Sequence, residues 1–156
     1  MNMCASMPNI EPKGLDISCN APVHVVAAVI YSSTDSHKIL IAKRPQHVHQ
    51  GGLWEFPGGK VSDGETPEQA LCRELLEELD ISIVSYQPLM QISHDYQDKQ
   101  VFLDIWSVTS FTGEAKGAEG QECRWINIAE LLHKNTSYQF PEANHAILKK
   151  LDSLRD

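Results

Sequence analysis

The sequence contains no run of about 18 apolar residues, so no stretch reads as a membrane-spanning helix. Its opening residues lack a basic segment followed by an apolar one, the layout of a secretion signal. Cysteine is sparse: Cys4, Cys19, Cys72 and Cys123 are scattered, and no C-x-x-C pair occurs. Such thiols read as reduced rather than as a disulfide framework. Together these absences lead to the expectation of a cytoplasmic protein with no membrane partner. Basic residues are also in deficit, 13 Lys and Arg against 21 Asp and Glu, for a formal charge of −8. That balance argues against binding polymeric nucleic acid, which rests on neutralising phosphates with Lys and Arg. A small phosphorylated ligand stays compatible, because a divalent cation supplies the missing positive charge.

What is present suits one domain. The chain has 156 residues, 42% of them hydrophobic, enough for a core of ordinary size. Residues 1–20 hold Pro8, Pro12 and Gly14 without an apolar pattern and read as a flexible extension; residues 21–156 read as the folded domain. Residues 23–31 and 38–44 read as two strands of a hairpin. LWEF reads as a short extended piece and PGGK as a turn. TPEQALCRELLEEL is the most legible helix, with Thr66 as N-cap, Pro67 at the first helical position and Gln69 completing a capping box. Residues 81–96 and 99–111 read as strands around a polar turn, with Asp104 interrupting the second. ECRWINI is a shorter strand, and Asn127 with Glu130 opens a short helix. Pro141 opens a last helix, with Ala143, Ile147, Leu151 and Leu154 on one side. The predicted class is α+β, an α/β/α sandwich with a mixed sheet between helices.

The central helix carries an unusual charge pattern. On a wheel of ~100° per residue with Glu74 at zero, Glu78 falls near +40° and Glu77 near −60°. Leu71, Leu75, Leu79, Cys72 and Leu76 fill roughly +60° to +200°, an apolar arc. Like charges at these spacings cost a helix ~0.2–0.5 kcal/mol per pair. A solvated acidic face is the ordinary explanation. Two features favour another: Ala70 lies on the carboxylate arc and leaves space above it, and Gly58, Gly59 and Gly64 precede the helix, where backbone can approach a ligand. Glutamates so spaced can hold Mg²⁺ or Mn²⁺, hard ions that take oxygen ligands. Arg73, one turn before Glu77, can brace it by an i, i+4 pair or form a weak surface ion pair.

The stretch Gly59-KVSDG-Glu65-TPEQALC-Arg73-Glu74-Leu75-Leu76-Glu77-Glu78-Leu79-Asp80-Ile81 resembles the Nudix box, G-x5-E-x7-R-E-U-x-E-E-x-G-U, where U is bulky and apolar. Asp80 stands where the box has Gly. That Gly normally ends the helix in a left-handed conformation, which costs a non-glycine residue ~1–2 kcal/mol. The likeness runs from about residue 23 to 151 and is similar to the MutT branch. It includes AKR before a His-containing loop, LWEFPGGK, GETPEQA, an E-G-Q stretch and FPEAN.

The resemblance implies a metal-dependent pyrophosphohydrolase. In the MutT branch, water attacks the β-phosphorus of a nucleoside triphosphate and releases monophosphate and pyrophosphate. By position, Glu74, Glu77 and Glu78 are implied metal ligands, helped by the carbonyl of Gly58 or Gly59, with Gly58 favoured, and by Glu119 from a distant loop. Mg²⁺ is the expected ion, with Mn²⁺ the alternative. Glu74 or Glu119 is the implied general base. Glu65 is expected to orient the helix or Arg73, and Lys60 either contacts phosphate or is simply solvated. Arg44, His49, Glu55, Phe56, Pro57 and Gly58 fall on the implied substrate side. Phe56 is preferred over Trp54 for the base pocket, with Phe140 also near it. His47 and His49 share a loop, but no cysteine pair or acidic partner supports a transition-metal site there.

Asn144 matches the asparagine that recognises 8-oxoguanine in this branch. Its amide can donate to O6 and accept from N7–H, which normal guanine lacks. The implied substrate is therefore 8-oxo-dGTP, and the implied role is cleansing the nucleotide pool against replication errors. Other Nudix specificities compete: CTP or 5-methyl-dCTP, dinucleoside polyphosphate, or ADP-ribose. A non-catalytic nucleotide sensor is a further alternative, disfavoured by the complete glutamate set. The expected partner is a small nucleotide, and the expected state a monomer.

Overall fold

The computed structural model of the protein describes residues 22–48 and 51–155. The proposed extension at 1–20 and the candidate residue His49 lie outside the described residues. Among the described residues seven strands form two sheets. In the first, β1 (Val23–Ile30) runs parallel to β6 (Lys99–Thr112), which pairs antiparallel with β5 (Ser82–Tyr96), while β4 (Gly58–Lys60) closes the other side of β1 antiparallel. In the second, β2 (Lys38–Lys43) lies between β3 (Trp54–Glu55) and β7 (Cys123–Asn127).

Strand β1 explains the layering. Val26, Ala28 and Ile30 face α1 (Pro67–Leu79), while Ala27 and Val29 face α3 (His145–Ser153) through Ile147 and Leu151. A strand covered on both faces must be apolar throughout, which is why VHVVAAVI reads as a continuous run. The result is the expected α/β/α sandwich. A short helix α2 (Ile128–Leu132) follows β7, and the side chain of Asn127 accepts from the N–H of Ala129 at its start. No helix among the described residues is long and apolar enough to cross a membrane.

Several expectations need correction. β1 and β2 do not form a hairpin ladder; they separate into different sheets and touch at a single bridge, Tyr31 with Ile39. PGGK is not merely a turn, since Gly58–Lys60 is strand β4. Its glycines permit close approach: a Cβ on Gly58 would strike the Val26 carbonyl, and one on Gly59 the Glu74 carboxylate. Asp104 does not interrupt β6. It sits opposite Val26 and Gln91 in register, and its buried carboxylate is held by His24 at 3.2 Å and Gln91 at 3.4 Å. Leu154 is exposed because α3 ends at Ser153, leaving it beyond the last turn.

The wheel also shifts. Ala70 is fully buried with Leu71, Leu75 and Leu79, whereas Cys72 and Leu76 face solvent. Ala70 therefore leaves no space above the carboxylates. Instead the buried arc is centred nearer Glu74 and Glu78, which turns those two carboxylates towards β4 and the loops beyond it.

Candidate active site

Helix α1 is fixed at both ends by its own sequence. Thr66 accepts from the N–H of Gln69 at 3.1 Å, and Gln69 Oε1 accepts from the N–H of Thr66 at 3.0 Å, the capping box. At the other end Asp80 adopts φ 60°, ψ 38°, and its N–H bonds back to the carbonyls of Leu75 and Leu76. Asp80 thus takes the left-handed conformation expected of a glycine.

Arg73 organises the approach to the helix. Its Nε donates to Glu65 Oε2 at 2.7 Å and its Nη2 to Glu65 Oε1 at 2.9 Å, a bidentate pair. Nη2 also donates to the carbonyl of Lys60, Nη1 to Glu74 Oε2 at 3.0 Å and Nη1 to Glu77 Oε1 at 3.3 Å. Glu65 further accepts from the N–H of Ser62 at 2.9 Å. These donors hold the Glu65 carboxyl down to about 2, the Arg73 hydrogen bonds contributing most and the Ser62 N–H next. One guanidinium therefore ties β4, the Ser62–Glu65 turn and two helix carboxylates together.

Glu78 has the opposite environment. Burial first, then the charges of Glu74, Glu55 and Glu119, push its carboxyl up to about 9, against one favourable N–H from Gly58. Glu55 is also raised, chiefly by burial, with Arg44 opposing. Arg44 Nη1 donates to Glu55 Oε1 at 2.6 Å. Glu77 is exposed, and its carboxylate accepts from Arg73.

Two clefts meet at Arg44 and Glu55, both of which line each of them. The first, about 250 Å³, has an apolar wall of Phe56, Leu103, Ile105, Ala143 and Ile147, and Asn144, Lys60 and Lys99 also line it. The second, about 500 Å³, is lined by more charged side chains, with Glu78 and Glu119 alongside Lys43 and His47. Phe56 lines the first cleft and stacks on buried Phe140, centroids 5.3 Å apart. Trp54 packs edge-on against Tyr138 at 5.4 Å, outside the residues lining the first cleft. Gly58 lines the first cleft, while the carbonyl of Pro57 accepts from the N–H of Ala28. Asn144 ends a short 3-10 turn (Glu142–Asn144) ahead of α3, and its side chain makes no capping hydrogen bond.

Two residues near the site, Tyr96 and the Gln121 of the E-G-Q stretch, make contacts to which the sequence assigns no role. The hydroxyl of Tyr96 accepts from the N–H of Ala143 at 3.3 Å, fastening the turn that carries Asn144. Gln121 bonds both Glu119 and Glu78. Its place two residues after Glu119 was a visible cue; nothing local in the strand pattern marked Tyr96.

Among the described residues no trio of His, Cys, Asp and Glu side chains closes tightly enough to enclose an ion. The donor set nonetheless fits a hard divalent cation. It is all oxygen, and the half-buried Glu78 carboxylate is pushed up by the charges of Glu74, Glu55 and Glu119 around it.

This frame, with a glutamate-bearing helix packed against a glycine strand and a cleft lined by charged side chains beside one with an apolar wall, defines a class. A family model described as the NUDIX domain matches residues 26–150. The chain belongs to the Nudix hydrolase family, whose members generally work with a divalent metal. It is 44% identical over 103 residues to an 8-oxo-dGTP diphosphatase of Proteus vulgaris, covering 65% of this chain and 88% of that one. It is also 35% identical over 133 residues to a CTP pyrophosphohydrolase of Escherichia coli strain K12, covering 85% and 93%. A MutT structure from work on Aliivibrio salmonicida and Vibrio cholerae superposes with a TM-score of 0.74 at 40% identity, covering 86% of this chain and all of that one.

Proposed function

We propose that the protein hydrolyses 8-oxo-dGTP to 8-oxo-dGMP and pyrophosphate, removing the oxidised nucleotide from the replication pool. The observation that carries this reading is the pair of clefts meeting at Arg44 and Glu55, one walled by Phe56, Leu103 and Ile105 with Asn144, the other lined by charged side chains that include Glu78 and Glu119. A nucleotide has the same division, a flat base at one end and phosphates at the other.

In this reading Asn144 offers its amide to O6 and N7–H of the oxidised base, and Phe56 forms part of the apolar wall. Arg44 presents its guanidinium where the two clefts meet, so it reaches phosphate or the base face. Glu74, Glu77, Glu78 and Glu119, with the Gly58 carbonyl, would hold Mg²⁺, or Mn²⁺ in its place. Bound there, the cation neutralises phosphate oxygens and lowers the pKa of the attacking water. Glu74 or Glu119 takes the water proton. Arg73 holds Glu74 and Glu77 in place through the contacts already described, and His49 remains a candidate phosphate neighbour.

The curated relative that acts on CTP supports a second reading, in which Asn144 does other work. Measuring kcat/KM for 8-oxo-dGTP, dGTP and CTP with Mg²⁺, with pyrophosphate detected as product, separates the two. The proposal predicts that 8-oxo-dGTP exceeds both others by at least about two orders of magnitude, given how strongly a site with matched hydrogen bonds rejects the wrong pattern. CTP as the best substrate would overturn it.

A further inference from the structure

We propose that Gln121 is a positioning residue that clips the Glu119 loop to the end of α1 and so sets Glu119 over the helix carboxylates. Its side-chain Nε2 donates to the backbone carbonyl of Glu78 at 3.0 Å, and its Oε1 accepts from the N–H of Glu119 at 3.0 Å. A primary amide is suited to this, since it carries a donor and an acceptor a fixed distance apart. The clip therefore joins Glu78 and Glu119, which line the second cleft together with Glu55 and Glu122.

The surrounding backbone shows why a clip is needed. The last carbonyls of a helix have no intrahelical partner. Here the loop supplies donors: the N–H of Ala118 to the Glu78 carbonyl at 2.9 Å and that of Lys116 to the Leu79 carbonyl at 3.1 Å. Glu119 follows immediately, exposed, in a turn closed by Gly120 N–H on the Gly117 carbonyl at 2.9 Å, with Gly120 at φ +88°. Its N–H bonds to Gln121, so the clip holds the backbone of a loop carboxylate that lines the second cleft with Glu78. The inference rests on the proposed role of Glu119 at the site.

The test uses Gln121→Met, which keeps the length and removes the amide, with Glu119→Gln and the double variant. Three readouts are taken: kcat and KM on 8-oxo-dGTP with Mg²⁺, Mn²⁺ affinity by electron paramagnetic resonance, and exchange of the Glu119 amide proton by NMR. Gln121→Met is expected to speed that exchange and to lower kcat and Mn²⁺ affinity by about tenfold or more, as loss of a supporting shell does. KM should stay within about twofold, and in the Glu119→Gln background the added kcat loss should be under about twofold, because residues that act as a unit are not additive. Unchanged exchange at Glu119 would overturn the clip itself. A full, independent kcat loss in the Glu119→Gln background would overturn its action through Glu119. Full turnover by Glu119→Gln would instead overturn the reading of the site on which the inference rests.

Discussion

Arg44 and Glu55 form an ion pair at 2.6 Å that lines both clefts, so one contact stands where base and phosphates would part. Arg44→Ala removes a charged donor at that point. KM for 8-oxo-dGTP should rise about tenfold or more, in line with ~1.5–3 kcal/mol for a charge-assisted hydrogen bond. Arg44→Lys should restore it only in part, because an ammonium lacks the planar fork. Steady-state kinetics check both.

Asn144 carries the predicted choice of base. Asn144→Ala should reduce the ratio of kcat/KM for 8-oxo-dGTP over dGTP by about 10²-fold or more, while slow cleavage of dGTP persists. The measurement is a paired substrate comparison at fixed Mg²⁺. An unchanged ratio would assign base recognition elsewhere.

Glu78 predicts a pH dependence with a definite sign. Its carboxyl is raised from 4.5 to about 9, first by burial and then by its acidic neighbours. Between those values the folded chain keeps a proton that the unfolded chain has released. Stability of the metal-free protein should therefore fall as pH rises through that window. Denaturation with chelator from pH 5 to 9 should show the slope, Glu78→Gln should lessen it and leave the smaller part due to Glu55, and added magnesium should flatten it. Glu78→Gln should also cut turnover by orders of magnitude.

Asp80 holds a left-handed conformation at the end of α1, with Lys116 3.5 Å from its carboxylate. Asp80→Gly relieves ~1–2 kcal/mol of backbone strain but adds ~0.4–1 kcal/mol of unfolded-chain entropy. The exposed ion pair adds little. A net gain of about 0.5–1 kcal/mol is expected, seen as a higher Tm with turnover unaltered.

Much of this architecture is legible locally. The capping box at Thr66 and the N-cap at Asn127 are short-range patterns and form as read, and the apolar run at residues 23–31 does give a strand, though in a different sheet from β2. The failures come from long-range packing. β4 looks like a turn because its glycines suit one, and only the proximity of Val26 and Glu74 shows why they serve a strand. Ala70 looks like open space on a wheel, yet the sheet covers it. The site divides in the same way. The Nudix box marks Glu74, Glu77 and Glu78 along one helix, but Tyr96 reaches Ala143 across 47 positions and Gln121 reaches Glu78 across 43. No periodicity encodes such contacts.

A crystal structure of the protein with magnesium and a non-hydrolysable 8-oxo-dGTP analogue tests the account most directly. It should place the oxidised base against Asn144 and Phe56, with the phosphates and metal between Glu78 and Glu119. Ligand density outside these two clefts, with the glutamates of α1 turned away from any ion, would contradict it.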